Sequence, residues 1–460
     1  MTQIMKVRWV VGWVVVLMLV AAIGYAQEAP IRQLSIADAL SIARQSNPDY
    51  LMVLNDRWGA SAAERSSFLN LFTPSVSASA GQRRTQEGTT VITGIATPFT
   101  SPANTSGYWS LNGTYTLSGS TIANRGLATA NARATEADID GALRTLETNV
   151  RTQYLILLQT KAQAELARRS VERAQEALSL SQARYQVGQA TLIDVRSSEV
   201  DKGTADVNLL TANQAVENQT LVLFQALGVP APEPIQLELT DSFPVTEPAF
   251  AEDSLIRMAL AENPALVALR AREASARWST RSAYSQYLPS LQLSANYGGY
   301  RQANDAYTTQ YTDSTGTHSV LVPPSSNNGT SPFSFSIGVS IPIYDAFSRA
   351  TSIQQARAAE DDLNQSIRSR ELAVRASVAA AYRGLIAAYQ KIGLQQSNKG
   401  FAAEALDLAQ QRYRVGSGTY LELLNGRVTA DQADASYVTA VYDYHKAIAT
   451  LESAVGRPLR

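Results

Sequence analysis

The pentapeptide Arg184-Tyr185-Gln186-Val187-Gly188 recurs as Arg412-Tyr413-Arg414-Val415-Gly416, 228 residues later. Each copy runs into a threonine and an acid at matching positions, Thr191 with Asp194 and Thr419 with Glu422. The doubling continues upstream, where Asn47-Pro48 answers Asn263-Pro264, Pro74-Ser75 answers Pro289-Ser290, and Ala132-Arg133-Ala134 answers Ala356-Arg357-Ala358. The chain is a tandem duplication of a unit of roughly 200 residues, far longer than a solenoid repeat. The offset is 216 at the Asn-Pro pair, 215 at the Pro-Ser pair, 224 at the Ala-Arg-Ala triplet and 228 at the pentapeptide. Its largest jump falls where strands and surface loops are expected and insertions cost little. The last shift falls in a helical stretch. Four residues are close to one helical turn, so the buried face is nearly preserved.

The 460 residues contain no cysteine, which removes disulfides, thiol catalysis and cysteine-ligated metal. It also removes a lipidated N-terminal cysteine as an anchor. Residues 1–26 carry Lys6 and Arg8, an apolar run from Trp9 to Ile23, and the small residues Gly24 and Ala26 around Tyr25. That pattern predicts a signal peptide cleaved after Ala26, because the apolar run is shorter than the roughly 20 residues of a membrane span. Cleavage moves the formal net charge from −1 to about −3, which does not favour nucleic acid. The organisation expected is a signal peptide at 1–26, a first repeat at 27–228, a proline-rich linker at 229–250 and a second repeat at 251–460.

Ser35 and Asp38 read as a helix cap, with the helical pattern running past Asn47-Pro48 to about Phe72. Val76, Ala78 and Ala80 then alternate with serines. A polar loop is expected from about Gln82 to Gly107. Next come Trp109, Leu111, Gly113, Tyr115 and Leu117 on one face of a strand, with Trp109 and Tyr115 expected to face lipid or its interface. From about Leu127 to Val187 there is no proline, and Leu143, Leu146, Val150, Tyr154 and Leu157 recur at spacings of three and four. That predicts a rod of roughly 90 Å with coiled-coil packing. It turns at Val187-Gly188 and returns over Leu192 to Leu227. The second half repeats the order: a helix from Asp253 to about Tyr287, a strand at Leu291 to Tyr297, a polar loop from Gly298 to Pro332, and a strand at Phe333 to Ile343. A second rod, a turn at Val415-Gly416 and a return helix follow.

Four strands, each apolar on one face and polar on the other, follow the alternation of outer-membrane barrels. Four strands cannot close, and a raw sheet edge is intolerable in lipid, so copies of the chain must pool their strands. Eight strands give a filled interior, whereas twelve from a trimer leave a conduit. The trimer is favoured.

With these features the chain resembles the TolC-like outer-membrane efflux proteins. The likeness is carried by Leu34-Ser35-Ile36-Ala37-Asp38-Ala39-Leu40 with Asn47-Pro48, by the two Arg-Tyr-x-Val-Gly turns, and by Ile341-Pro342-Ile343-Tyr344-Asp345, which is similar to the family's strand-to-helix junction. The resemblance implies a mixed α and β membrane protein: a homotrimeric twelve-stranded β-barrel in the outer membrane, four strands per chain, continued by a long periplasmic α-helical coiled-coil barrel. It implies an exit duct that works with a periplasmic adaptor protein and an inner-membrane pump. By residue-to-residue correspondence the periplasmic gate falls on Leu421, Glu422 and Asn425. Asp194 and Tyr413 are left to lock it, since the arginine that some relatives carry stands here as Gly418. The turns Val187, Gly188, Val415 and Gly416 are implied as adaptor contacts.

Two other classes compete with an export duct. A structural or adhesive periplasmic coiled coil with a small barrel has no need of two hairpins per chain. An enzyme is disfavoured because no His-Glu-x-x-His, Gly-x-Ser-x-Gly or phosphate-binding loop occurs. His318 and His445 are distant, so neither a metal nor another cofactor is expected. Gly188 and Gly416 have a purely structural reading as turn-makers, Tyr185 and Tyr413 one as packing residues, and a lone Glu422 one as a solvated face.

Overall fold

The computed structural model describes residues 33–90, 99–232, 237–241, 243–313 and 315–459. The expected signal peptide lies outside the described residues, as does part of the proline-rich linker. In chain order the first repeat holds β1 (Gln33–Leu34), α1 (Ile36–Ser46), α2 (Pro48–Leu69), β2 (Ser75–Thr85), β3 (Gly88–Thr90), β4 (Phe99–Ser101), β5 (Asn104–Leu117), α3 (Gly119–Gln186) and α4 (Leu192–Leu227). Strand β6 (Glu238–Leu239) follows. The second repeat holds α5 (Glu252–Glu262), α6 (Pro264–Ser285), β7 (Ser290–Asn304), β8 (Tyr307–Asp313), β9 (Gly316–Val322), β10 (Ser325–Ser340), α7 (Ser348–Arg414) and α8 (Tyr420–Val455).

The chain forms two compact units that cut across the repeats. One comprises residues up to Leu51, Leu143–Glu252 and Val378–Arg460; the other comprises Met52–Ala142 and Asp253–Ser377.

In the first unit, the residues spaced by three and four on α3 form the core. Leu146, Val150, Tyr154 and Leu157 pack with Leu34 and with Leu223, Phe224 and Leu227 of α4. The Tyr154 hydroxyl donates to Leu34 O at 3.0 Å and to Asp241 Oδ2 at 2.8 Å, and that carboxylate also accepts from Ile36 N at 2.7 Å. A phenol buried so deeply is held by its partners. The helix expected to run through Asn47-Pro48 is broken there. Asn47 is extended, with φ −68° and ψ 117°, because the proline ring disfavours a helical residue before it. Its side chain accepts from Tyr50 N at 3.0 Å and donates to Ala226 O at 2.9 Å, tying α2 to the end of α4. Gly228, at φ 78°, sits so close that an added Cβ would lie 2.5 Å from Ser46 O. The Asn-Pro signature is thus a clamp on a helix C-terminus.

The second unit is organised by an antiparallel sheet of order β10-β7-β5-β2, in which the β5·β7 pairing joins the two repeats. The registers Val76↔Gly113↔Ala295↔Phe335, with Tyr115↔Leu293↔Ile337 and Leu117↔Leu291↔Val339 beside them, carry one apolar face across the strands. The opposite face is a polar ladder: Ser75 bonds Thr114 at 2.7 Å, Ser79 bonds Ser110 at 2.8 Å, and Ser294 bonds Ser336 at 2.5 Å. Val76, Leu111, Phe335, Ile337 and Val339 are exposed on the single chain.

Both loop expectations need correction. Strand β7 runs to Asn304 and β10 starts at Ser325, with the hairpin β8·β9 between them; β2 reaches Thr85 and β5 starts at Asn104. Ladder bonds are made by backbone, so polar side chains do not prevent pairing. The register of β10 shifts between Ser331 and Ser334, where Pro332 has no N–H to donate. Helix α3 also starts earlier than expected, at Gly119. An added Cβ on Gly126 would lie 2.3 Å from the Trp278 ring and one on Gly119 2.5 Å from Ser285 Cβ, so these glycines let α3 approach α6. At the junction before α7, Asp345 accepts from the Arg349 backbone at 2.9 Å and from its Nε at 2.7 Å, while the same guanidinium donates to Pro342 O at 2.9 Å. No helix among the described residues is long and apolar enough to cross a membrane.

Candidate functional site at the two hairpin ends

Each pentapeptide ends its helix in the same way. Gly188 and Gly416 take φ of 72° and 81°, the left-handed conformation that glycine adopts without a Cβ penalty. Backbone bonds close both turns: Gly188 N to Tyr185 O at 3.0 Å with Gln189 N to Arg184 O at 2.8 Å, and Gly416 N to Tyr413 O at 3.2 Å with Ser417 N to Arg412 O at 3.0 Å. Val187 and Val415 stand exposed at the tips. Thr191 and Thr419 then cap α4 and α8, their hydroxyls accepting from Asp194 N and Glu422 N at 3.2 Å.

The two acids diverge from there. Asp194 closes a capping box, its carboxylate accepting from Thr191 N and Thr191 Oγ1 at 2.9 Å. Glu422 instead turns to Arg412, 3.5 Å away. Leu421, Glu422 and Asn425 are all exposed, on one face of the first turns of α8. Position 418 is tight, since an added Cβ would lie 3.0 Å from Arg412 Cβ and 3.2 Å from Glu422 Oε2.

Tyr413 is buried. Its hydroxyl shares a hydrogen bond of 3.1 Å with Ser181, its carbonyl accepts from Arg184 Nη1, and the Arg184 guanidinium lies 4.4 Å from the ring centroid. Arg184 Nη2 also donates to Gln189 O at 2.9 Å. Within the single chain, Asp194 is engaged by its own cap and Tyr413 by α3.

A different constellation joins the return helices, and sequence reading missed it. Arg427 Nη2 bonds Asp201 Oδ1, and the Tyr420 hydroxyl donates to Asp201 Oδ2 at 3.4 Å. Burial, and then the Asp201 carboxylate, push the Tyr420 phenol up to about 12, so it stays a donor. Nearby, Arg173 of α3 meets Asp431 at 2.5 Å and Asp434 at 3.6 Å. The available signal was spacing: Tyr420 and Arg427 are seven apart, as are Asp194 and Asp201, placing each pair two turns apart on one stripe.

The sequence matches the family described as outer membrane efflux protein over residues 40–229 and 255–457. The chain belongs to that family. The match falls on both repeats and omits the segment between them, as the duplication requires. Outer membrane protein TolC of Escherichia coli is 24% identical over 326 residues, covering 68% of this chain and 62% of that protein. The pyoverdine export outer membrane protein OpmQ of Pseudomonas putida is 24% identical over 320 residues, covering 68% of this chain and 62% of its own length. The chain thus spans under two thirds of the length of these curated efflux relatives. Among solved structures, the outer membrane protein VceC of Vibrio cholerae superimposes with a TM-score of 0.71 at 18% identity, covering 92% of this chain and 97% of that one. The two chains thus share one fold over 92% of this chain.

Proposed function

We propose that this member of the outer membrane efflux family is the outer-membrane channel-tunnel of a tripartite efflux or secretion system. It acts as a passive exit duct, fed by an inner-membrane pump through a periplasmic adaptor. The observation that carries this reading is the sheet: one apolar face continuous across four strands, one hydrogen-bonded polar face, and edges at β2 and β10 left unpaired among the described residues. Only closure with further copies satisfies those edges in lipid, and twelve strands from three chains leave a wet interior.

The gate is assigned to Leu421, Glu422 and Asn425, whose shared exposed face supports the assignment, because three copies around an axis stack as rings. Leucine rings exclude water when close, and a glutamate ring attracts cations in a narrow mouth. Val187, Gly188, Val415 and Gly416 are assigned to adaptor contact, supported by their exposure at the tips. The sequence repeats at 27–228 and 251–460 then act as two hairpin-bearing halves of each protomer. The test is electrical: purified protein added to a planar bilayer conducts in discrete steps if it is a duct. A membrane-inserted protein that never conducts would return the assignment to a structural or adhesive role.

A further inference from the structure

The duplication makes the contact between the hairpins of one chain a template for a contact that the chain cannot complete alone. Arg184 of α3 is buried because it stacks on Tyr413 and donates to its carbonyl, across from one hairpin to the other. Its counterpart at the 228-residue offset is Arg412, whose Nη2 reaches Ser417 O at 3.4 Å just as Arg184 Nη2 reaches Gln189 O. The bond within the turn is thus repeated, but among the described residues Arg412 has no tyrosine beneath it; it pairs only with Glu422 at 3.5 Å, and its side chain is half exposed.

The same asymmetry holds for the neighbours. Ala177 and Leu180 of α3 pack in the cluster around Tyr413 and Tyr420, whereas their counterparts Ala405 and Leu408 on α7 are exposed. On the receiving side, Tyr413 and Tyr420 are 2% and 5% exposed, whereas their counterparts Tyr185 and Leu192 are 46% and 51% exposed. Both halves of a second, equivalent interface are therefore present, uncovered, on opposite repeats of one chain.

We infer that Arg412 of one copy stacks on Tyr185 of the next copy and donates to its carbonyl, with Leu408 covering Leu192, so that a second copy of this chain completes the ring of hairpin ends. The inference rests on the trimer reading given under Proposed function, and it deepens that reading by naming the residues that join protomers at the tips. A guanidinium over a tyrosine face is attracted by the ring quadrupole, and an arginine fork on a carbonyl adds direction. Rotation by one hairpin maps the internal contact onto the external one. Ala409, the counterpart of Ser181, then faces Tyr185 without a hydroxyl to meet it. The external contact therefore lacks one hydrogen bond of its internal template and is the weaker of the two.

The absence of cysteine permits a clean test. Tyr185→Cys, Ala409→Cys and the double variant are purified in detergent and treated with a short bismaleimide, and the same samples are weighed by native mass spectrometry. The expected result is a ladder of covalent dimers and trimers in the double variant and only single chains in each single variant. As a second measurement that leaves Tyr185 intact, a photoreactive phenylalanine at Leu408 is irradiated in the purified protein. Its two-chain adduct is expected to map to the segment around Tyr185 and Leu192. A native mass of three chains with no interchain adduct by either route overturns the contact while the trimer stands. A native mass of one chain removes the trimer reading and the contact with it.

Discussion

Arg427 of α8 and Asp201 of α4 form a buried ion pair, with 6% and 14% of their side-chain surfaces exposed. Nε and Nη1 of Arg427 have no hydrogen-bond partner among the described residues, so the guanidinium depends on that one carboxylate, which also accepts from the Tyr420 hydroxyl. Removing one member of such a pair strands the other charge at a cost of about 3–5 kcal/mol, whereas replacing both with apolar residues is often neutral. Asp201→Ala is therefore expected to loosen α4 against α8, and Asp201→Leu with Arg427→Met to restore the contact. Amide hydrogen exchange over 192–227 and 420–455 reads this directly. Equal protection in the single and double variants would show that the pair is idle.

At the proposed gate, Leu421→Ala is expected to raise the resting conductance of single channels, and Glu422→Gln to weaken cation preference. Trimer yield is measured on the same samples by native mass, so that a change in conductance is read only from intact assemblies. Planar-bilayer recordings decide it. If both variants conduct and select as the parent does, the constriction lies elsewhere.

The turn glycines lend themselves to a separate test. No atom lies within 4 Å of a Cβ added to Gly188, so Gly188→Ala meets only the conformational penalty of its left-handed φ, about 1–2 kcal/mol. A bulky residue at Gly188 or Gly416 is expected to reduce export and adaptor crosslinking while trimers remain in the membrane. Unchanged crosslinking by both variants removes the adaptor contact.

Gly126 should behave differently, because an added Cβ would lie 2.3 Å from the Trp278 ring, inside the packing of α3 on α6. Gly126→Ala is expected to destabilise by about 1–3 kcal/mol through overpacking, and Trp278→Phe in the same chain to relieve part of that loss. Thermal denaturation of the detergent-solubilised protein measures both.

On the sheet, Ile337→Arg places a charge on the apolar face and is expected to cost about 2–4 kcal/mol if that position lies near the bilayer midplane. Ser336→Arg, on the polar face, is expected to be tolerated. Insertion into liposomes under urea titration compares them, and equal losses would contradict the assignment of the faces.

Periodicity by itself determined much of this protein. Leu143 through Leu157 on α3, the alternation of Phe335, Ile337 and Val339 with Ser336 and Gly338, and the turns at Gly188 and Gly416 were legible because each depends on residues near in sequence. The doubled pentapeptide also placed both hairpins, and Leu192 to Leu227 was read with the bounds that α4 has. Tertiary structure decided the rest. The reach of β7 and β10 through polar sequence depended on backbone partners that side-chain patterns do not encode. The break at Asn47 gained its meaning only from Ala226 O, 179 residues away in sequence. The same motif was given two fates: Arg184 is buried on Tyr413, while Arg412 is left open beside Glu422. Two turns that share the Arg-Tyr-x-Val-Gly pattern cannot be distinguished by that pattern, because burial depends on what the fold brings opposite, and beside Arg412 the chain brings only Glu422 and the turn carbonyl of Ser417.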